Sequence, residues 1–264
     1  MFQASQHWYD LVYDAQGKDY VAEAGRIREI LAGQGIAEDR LGRPVRWLDV
    51  ACGTGRHLAE LPGLDRVGVD LDGGMLEIAR RRCPGVAFLS ADMRQVDRTA
   101  LGPIEGEGPD GRFDVVSCLF SAIAYMPDPA SLEDAVRSMA DRVGEGGVLL
   151  IEPFLAPDEI VGRRPWMNVV DRDDLKLVRM DVPRVDGRRL ELEFHYLIGD
   201  ADGVEHVVEP HVVTLFDREE IGRAFEAAGL EWTFDPKGLG PRGRGLHVGR
   251  RPSGRAGGEP PSEA

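Results

Sequence analysis

Arg46-Trp47-Leu48-Asp49-Val50-Ala51-Cys52-Gly53-Thr54-Gly55-Arg56 is the stretch whose reading decides the fold. Trp47, Leu48 and Val50 make an apolar run of the length of a buried strand. The chain then turns through Gly53 and Gly55, residues that let a backbone bend sharply and a ligand approach closely. Arg56 and His57 open a helical pattern. Strand, glycine turn and helix are the first unit of a doubly wound nucleotide-binding sheet. Asp70 closes the next strand-like run, Arg66 to Asp70. It lies about 20 residues downstream, where such folds hold a ribose by its hydroxyls.

Glycine spacing separates two cofactors. A dinucleotide fingerprint needs a further glycine three positions after the second. Here Arg56-His57-Leu58 follows Gly55 instead. With Asp49 in front, the stretch resembles motif I of the S-adenosylmethionine-dependent methyltransferases, with Ala51 in place of the first glycine. The fold this implies is a Rossmann-like class I methyltransferase sheet with helices on both faces. In that fold an acidic residue after the third strand accepts from the adenine amino group, and the next residue packs on the ring. Asp92-Met93 occupies that position.

Composition bounds the rest. The 264 residues suit a single domain over 1–250, and 251–264, rich in Gly, Pro, Ser and Glu, read as a disordered tail. A net charge of −14 disfavours a nucleic-acid partner. No apolar run has the length of a membrane span, and the first residues do not read as a signal peptide, so the expected location is the cytoplasm. Cys52, Cys83 and Cys118 read as reduced, and no metal site is expected.

In chain order, the tyrosines of 8–20 read either as a lid over a cofactor or as a packed aromatic cluster. Val21 to Leu31 has helical spacing, with Val21, Ala24, Ile27, Ile30 and Leu31 on one face. Strands are expected at 65–70, 86–89, 113–117 and 146–152, and helices at 57–61, 73–82 and after Ser131. Residues 153–215 break the alternation and read as an antiparallel β insertion with strands at 167–182, 188–198 and 205–215. Asp186-Gly187 and Asp202-Gly203 are its hairpin turns. A helix over 218–228 with a capping box at Asp217 and Glu220 and strands at 230–235 and 244–249 follow.

A narrower resemblance rests on an ordered set of pieces: Tyr9-Asp10, Tyr13, Gly17 to Tyr20, Leu48 to Leu58, Ala91-Asp92-Met93-Arg94, Phe120-Ser121, Tyr125, Glu152-Pro153, Thr214-Leu215-Phe216 and Gly240 to Leu246. Together they resemble the bacterial N,N-dimethyltransferases that act on dTDP-linked amino sugars of antibiotics. The resemblance implies transfer of methyl groups from S-adenosyl-L-methionine to the amine of a dTDP-amino-deoxyhexose. It implies that Tyr13, Tyr20, Ala51, Asp70, Asp92 and Met93 hold the cofactor, beside Asp49, Gly53 and Gly55 of the motif. It places Tyr13 near the transferring methyl and Arg179 and Arg244 at the diphosphate, and it implies a homodimer through the insertion.

Tyr13 and Tyr125 are the candidate catalytic residues, expected to orient the amine. His211 and His247 are the alternatives as bases, and Arg179 reads almost equally as part of a solvated strand face. Two other functions fit the cofactor motif: methyl transfer to an oxygen of a natural product, or cofactor binding without turnover.

Overall fold

The computed structural model describes residues 5–160, 164–240 and 244–253. Helix α1 (Tyr9–Ala15) opens the chain, where the sequence reading placed only an aromatic segment. Helix α2 (Tyr20–Gly33) follows, and Asp19 caps it by accepting from Ala22 N–H. Its buried stripe is Tyr20, Ala24, Ile27 and Leu31, whereas Val21 is 67% exposed, against expectation. One residue along a helix is a turn of ~100°, so Tyr20 takes the inward place and Val21 cannot share it.

A short helix α3 (Glu38–Leu41) leads to the α/β alternation. Its elements are β1 (Arg46–Val50), α4 (Arg56–Ala59), β2 (Asp65–Asp70), α5 (Gly73–Arg82), β3 (Ala87–Ser90), α6 (Arg98–Leu101), β4 (Phe113–Cys118), α7 (Pro129–Asp141) and β5 (Val143–Ile151). Apolar residues alternate between two covered faces, as a doubly wound sheet requires. Leu48 and Val50 cluster with α7, and Trp47 clusters with α2 and Leu58 of α4.

The insertion contains β6 (Trp166–Asp171), β7 (Lys176–Asp181), β8 (Arg184–Asp186), β9 (Arg189–Asp200) and β10 (Gly203–Thr214). The single strand expected over 167–182 is thus a hairpin. Asp173-Asp174 makes its turn, closed by Arg172 N–H to Leu175 O at 3.0 Å, a carboxylate turn without the usual glycine. Pro183 then separates β7 from β8. The β7–β9 ladder ends with Met180 opposite His195, and the β8–β9 ladder begins with Arg184 opposite Glu191. Between them the sheet has a gap beside Leu192–Phe194.

Helix α8 (Arg218–Ala227), with its Asp217–Glu220 capping box, precedes β11 (Glu231–Asp235) and β12 (Leu246–Arg250). The central sheet runs β11-β12-β5-β4-β1-β2-β3, with β12 antiparallel to both neighbours. The insertion forms a second sheet, β10-β9-β7-β6, with β8 on β9. Val12 of α1 packs on its inner face with Val170, Leu177, Phe194, Tyr196 and Ile198. The connections β1–α4, β2–α5 and β4–α7 leave from the same edge of the central sheet, and the inner face of the second sheet stands opposite them. Residues 241–243 of the glycine-rich run and 254–264 of the expected tail lie outside the described residues. Among the described residues, no helix is long and apolar enough to cross a membrane.

Candidate active site

A cavity of about 760 Å³ occupies this space, lined among the described residues by the glycine turn, α1, the exits of β2, β3 and β4, the start of α5, the insertion and Arg244. Its floor follows from backbone geometry. Ala51, Gly53 and Gly55 all have positive φ, at 57°, 54° and 74°. Gly53 N–H donates to Asp70 Oδ2 at 2.7 Å, and Asp72 N–H donates to Asp70 Oδ1 at 2.9 Å. The Asp70 carboxylate is therefore fixed at the end of β2. Burial pushes its pKa up, and these backbone N–H groups pull the other way. A Cβ built on Gly53 meets nothing within 4 Å, so the turn presents bare backbone to open space.

The turn also anchors α1. Thr54 Oγ1 donates to Asp10 Oδ1 at 2.7 Å, and Arg82 pairs with the other Asp10 oxygen. This places Tyr9 and Tyr13 on the cavity wall, with their rings 4.7 Å apart. Tyr13 also meets the edge of Phe120 at 4.7 Å. The aromatic segment is a packed cluster, and two of its tyrosines also line the cavity.

After β4 the chain is strained. Phe120 and Ser121 take φ of 53° and 63°, a region costly for side chains with a Cβ. Glu152 holds the strained pair by accepting Phe120 N–H at 2.7 Å, and Ser121 Oγ donates to Pro153 O at 2.7 Å. Arg244 donates to the same Ser121 hydroxyl and lies over Phe154 at 5.0 Å. Tyr125 follows on a short 3-10 turn, and its hydroxyl is 2.9 Å from His211 Nδ1. Burial pushes its phenol up, so it stays protonated.

The cavity brings together Tyr13, Tyr125, Ala51, Gly53, Asp70, Asp92, Met93 and Arg244. Asp92 is paired with Arg94, which lowers its pKa, and its carboxylate keeps lone pairs for a further donor. Four expected residues stand off the wall. Gly55 packs against Ala79 and starts α4. Asp49 is buried behind the turn, accepting from Ser117 Oγ at 2.6 Å. Tyr20 sits on the far side of the turn, with Arg56 over its ring at 4.6 Å and His57 edge-on at 5.0 Å.

Arg179 is the fourth. It is 7% exposed, which rules out a solvated strand face. It donates to Asn168 Oδ1 at 2.9 Å and lies over the rings of Phe194 and Tyr13 at 4.4 and 5.3 Å. His247 is also displaced from the site. It stacks among Trp232, Phe225 and Phe234, and burial lowers its pKa to about 3, which removes it as a base.

Sequence reasoning missed Gln6, Leu192, Phe194 and Val213 on the wall. Phe194 carried one signal: it falls in phase with Leu190, Leu192, Tyr196 and Ile198, between Glu191, Glu193 and His195. Gln6 carried none. A Cβ on Gly74 would strike its amide, so it is seated on the start of α5. The bare Gly53 backbone, the fixed Asp70 carboxylate and the size of the cavity fit a nucleoside-bearing cofactor beside a second ligand.

Comparison with known proteins bears on this. A family described as a methyltransferase domain matches residues 48–147. A dTDP-3-amino-3,6-dideoxy-alpha-D-glucopyranose N,N-dimethyltransferase of Streptomyces fradiae is 36% identical, over 91% of this chain and 88% of that one. A dTDP-4-amino-2,3,4,6-tetradeoxy-D-glucose N,N-dimethyltransferase of Saccharopolyspora spinosa is 32% identical, over 92% and 91%. Among solved structures, the sugar N-methyltransferase KedS8 of Streptoalloteichus superposes with a TM-score of 0.79 at 37% identity, covering 93% of each chain. The S-adenosylmethionine-bound amino pentose methyltransferase CalS10 superposes at 0.78 with 31% identity, over 92% of this chain and 96% of that one.

Proposed function

The chain belongs to the dTDP-amino-sugar N,N-dimethyltransferases, S-adenosyl-L-methionine-dependent enzymes, and from that premise we propose that it methylates the amine of a dTDP-linked amino-deoxyhexose in antibiotic sugar biosynthesis, twice. The observation that carries the reading is one cavity with a nucleoside-holding floor at Gly53 and Asp70 and, on its rim, Tyr13, Tyr125 and Arg244. Ala51, Gly53, Asp70, Asp92 and Met93 would hold the cofactor. Asp49, Gly55 and Tyr20 would act from behind by fixing the turn. Bound there, S-adenosylmethionine supplies a methyl group already activated on a sulfonium.

The chain's own task is placement. A neutral amine is a competent nucleophile, and alignment can contribute ~7–11 kcal/mol at its ideal limit. Tyr13 and Tyr125 would orient the amine by hydrogen bonds. Arg244 would meet the diphosphate, because its planar fork gives paired, charge-assisted bonds to phosphate oxygens. Arg179, expected at the diphosphate, is engaged with Asn168 and instead braces Tyr13. A protonated Tyr125 suits a neutral amine better than an acceptor that must lose a proton first.

Residues 1–250 act as one unit in this reading, because the insertion contributes Leu192, Phe194 and Val213 to the cavity. The reading includes a homodimer formed through the insertion. It also places the protein in the cytoplasm, supported by the free thiols of Cys52, Cys83 and Cys118.

The test is mass spectrometry of products after incubation with S-adenosylmethionine and a panel of dTDP-3-amino and dTDP-4-amino deoxyhexoses. Two methyl increments on one member are expected, and that member names the substrate. A single increment at exhaustive time would remove dimethylation. Cofactor binding with no sugar modified would overturn the amino-sugar reading.

A further inference from the structure

Behind Tyr125 stands a histidine for which direct substrate binding has no use. His211, on β10, is 3% exposed, and its Nδ1 lies 2.9 Å from the Tyr125 hydroxyl. Its Nε2 is 3.5 Å from Oε2 of the buried Glu209. Ser5 donates to the same carboxylate oxygen. His211 also lines a second cavity, of about 590 Å³, set where β7 leaves β9 and β8 has not yet joined it. Glu193 and His195, 3.0 Å apart, line that cavity too, and Leu192 is common to both cavities. His211 therefore bridges the substrate side and the outer side of the second sheet.

The chemistry supplies a reason for such a bridge. Methylating an amine leaves an ammonium. A second transfer to the same nitrogen needs its lone pair back, so one N–H proton must leave between the two steps. The wall near Tyr125 is apolar, with Met126, Phe154, Phe194 and Val213. A phenol kept protonated by burial is no base by itself. It can still accept at its oxygen while passing on its own proton.

Resting on the amino-sugar reading above, we propose that Tyr125 and His211 form a relay that carries the ammonium proton out of the substrate cavity, through the gap in the sheet, between the first and second methylations. The ammonium N–H bond breaks as a new Oη–H bond forms on Tyr125. The original Oη–H bond breaks as an Nδ1–H bond forms on His211. Glu209 faces the resulting imidazolium, which then gives a proton to water in the outer cavity and returns to neutral. Each turnover needs one such transfer, between the two methylations; once product has left, the Nδ1 proton passes back through Tyr125 to water in the emptied cavity while Nε2 regains a proton from water of the outer cavity, which restores the starting tautomer.

Other charges facing His211 are Arg179, across the Phe194 ring that lies 5.0 Å from the imidazole, and Asp181, Arg184, Arg189, Glu191 and Glu193 in the outer cavity. His211 touches neither substrate nor cofactor and is a positioning residue acting through Tyr125.

His211→Asn tests this, since the amide oxygen can accept from Tyr125 but cannot take up a proton. With the sugar identified by the panel, the ratio of monomethyl to dimethyl product is expected to rise ~10-fold or more, general acid–base groups contributing ~10²–10⁴. The rise should shrink as pH increases and on adding imidazole. In the cofactor-free protein, nitrogen NMR of labelled histidines should show one Nδ1 signal that is lost in His211→Asn and shifted by Tyr125→Phe. A folded His211→Asn with wild-type product ratio and pH profile overturns the relay. So do equal losses in both steps with an unchanged pH profile, or a His211 signal blind to Tyr125→Phe. A wild-type protein that modifies no amino sugar overturns the functional reading and the relay with it, whereas a dimethylating wild type matched by its variant overturns the relay alone.

Discussion

Asp49 shows what one residue contributes by being uncomfortable. It is 2% exposed, and it accepts from Ser117 Oγ, which in turn accepts the Trp47 indole N–H at 2.6 Å. Burial pushes its pKa up to about 6, against the pull of His57 and the Ser117 bond. An unfolded Asp titrates near ~3.9, so the native state binds more protons between the two values. Stability from this group therefore falls as pH rises through about 4 to 6, by ~3 kcal/mol in all. Asp49→Asn removes that dependence. Its unfolding free energy relative to wild type is expected to improve by up to ~3 kcal/mol between about pH 4 and pH 7, as read by urea unfolding. Parallel stability curves for the two proteins would refute it. At this scale the sequence was informative where chemistry restricts residue type. Gly53, Asp70 and Asp92-Met93 were legible as cavity residues because few residue types suit a left-handed turn or a carboxylate held at a strand end. Tyr20 and Arg179 were not, since a motif position says nothing about which way a long side chain leaves the backbone. His247 reads like His211 in sequence, and only the fold separates them: His247 stacks among Trp232, Phe225 and Phe234, whereas His211 meets the Tyr125 hydroxyl.

The turn between β1 and α4 is the element that best repays a mutation. Ala51 adopts φ 57°, where the family motif has glycine. A left-handed residue with a Cβ costs ~1–2 kcal/mol, and the extra freedom of an unfolded glycine returns ~0.5–1 of that. Ala51→Gly should therefore stabilise the fold by ~1 kcal/mol, a rise of ~2–4 °C in Tm by thermal denaturation. A lower Tm would mean that the Ala51 methyl packs better than its backbone is strained. Elements with a strong buried run or stripe and clear end signals were legible from sequence. The bounds of β2 and α5 match expectation, because β2 carries a buried run at Val67 to Val69 and α5 buries Met75, Leu76 and Ala79 at helical spacing between a capping Asp72 and Pro84. Helix α1, at 7 residues, is too short to show a period. The β6–β7 hairpin was read as one strand because its turn is built from carboxylates rather than glycine.

For the whole molecule, the outer face of the second sheet is unusual. Met167 and Met180 pair across β6 and β7, and with Leu197 and Val208 they are 40–60% exposed on one face. A patch of this kind on a chain of net charge −14 suits self-association better than contact with a charged partner. Sedimentation should give twice the chain mass. Leu197→Glu combined with Val208→Glu should give the single-chain mass with the melting transition still cooperative. A wild-type monomer at micromolar concentration would end the dimer reading. The sequence offered pairing with a second subunit as one reading of the insertion but did not show this face, because alternation marks one side of a strand as apolar without saying that the other side is apolar too.

The cavity takes Tyr13 from the first helix and Arg244 from the approach to the last strand, so both ends of the described chain must be present before it closes. Synthesis runs from one end to the other, and folding tends to follow it. A nascent chain on the ribosome can complete the glycine turn and its Asp70 clamp early, while the arginine that would grip the sugar nucleotide is still to be translated. A chain that ends shortly before residue 244 would therefore lack the proposed diphosphate contact while keeping the glycine turn. A message cut there would encode the proposed donor cradle without the arginine proposed to hold the sugar nucleotide.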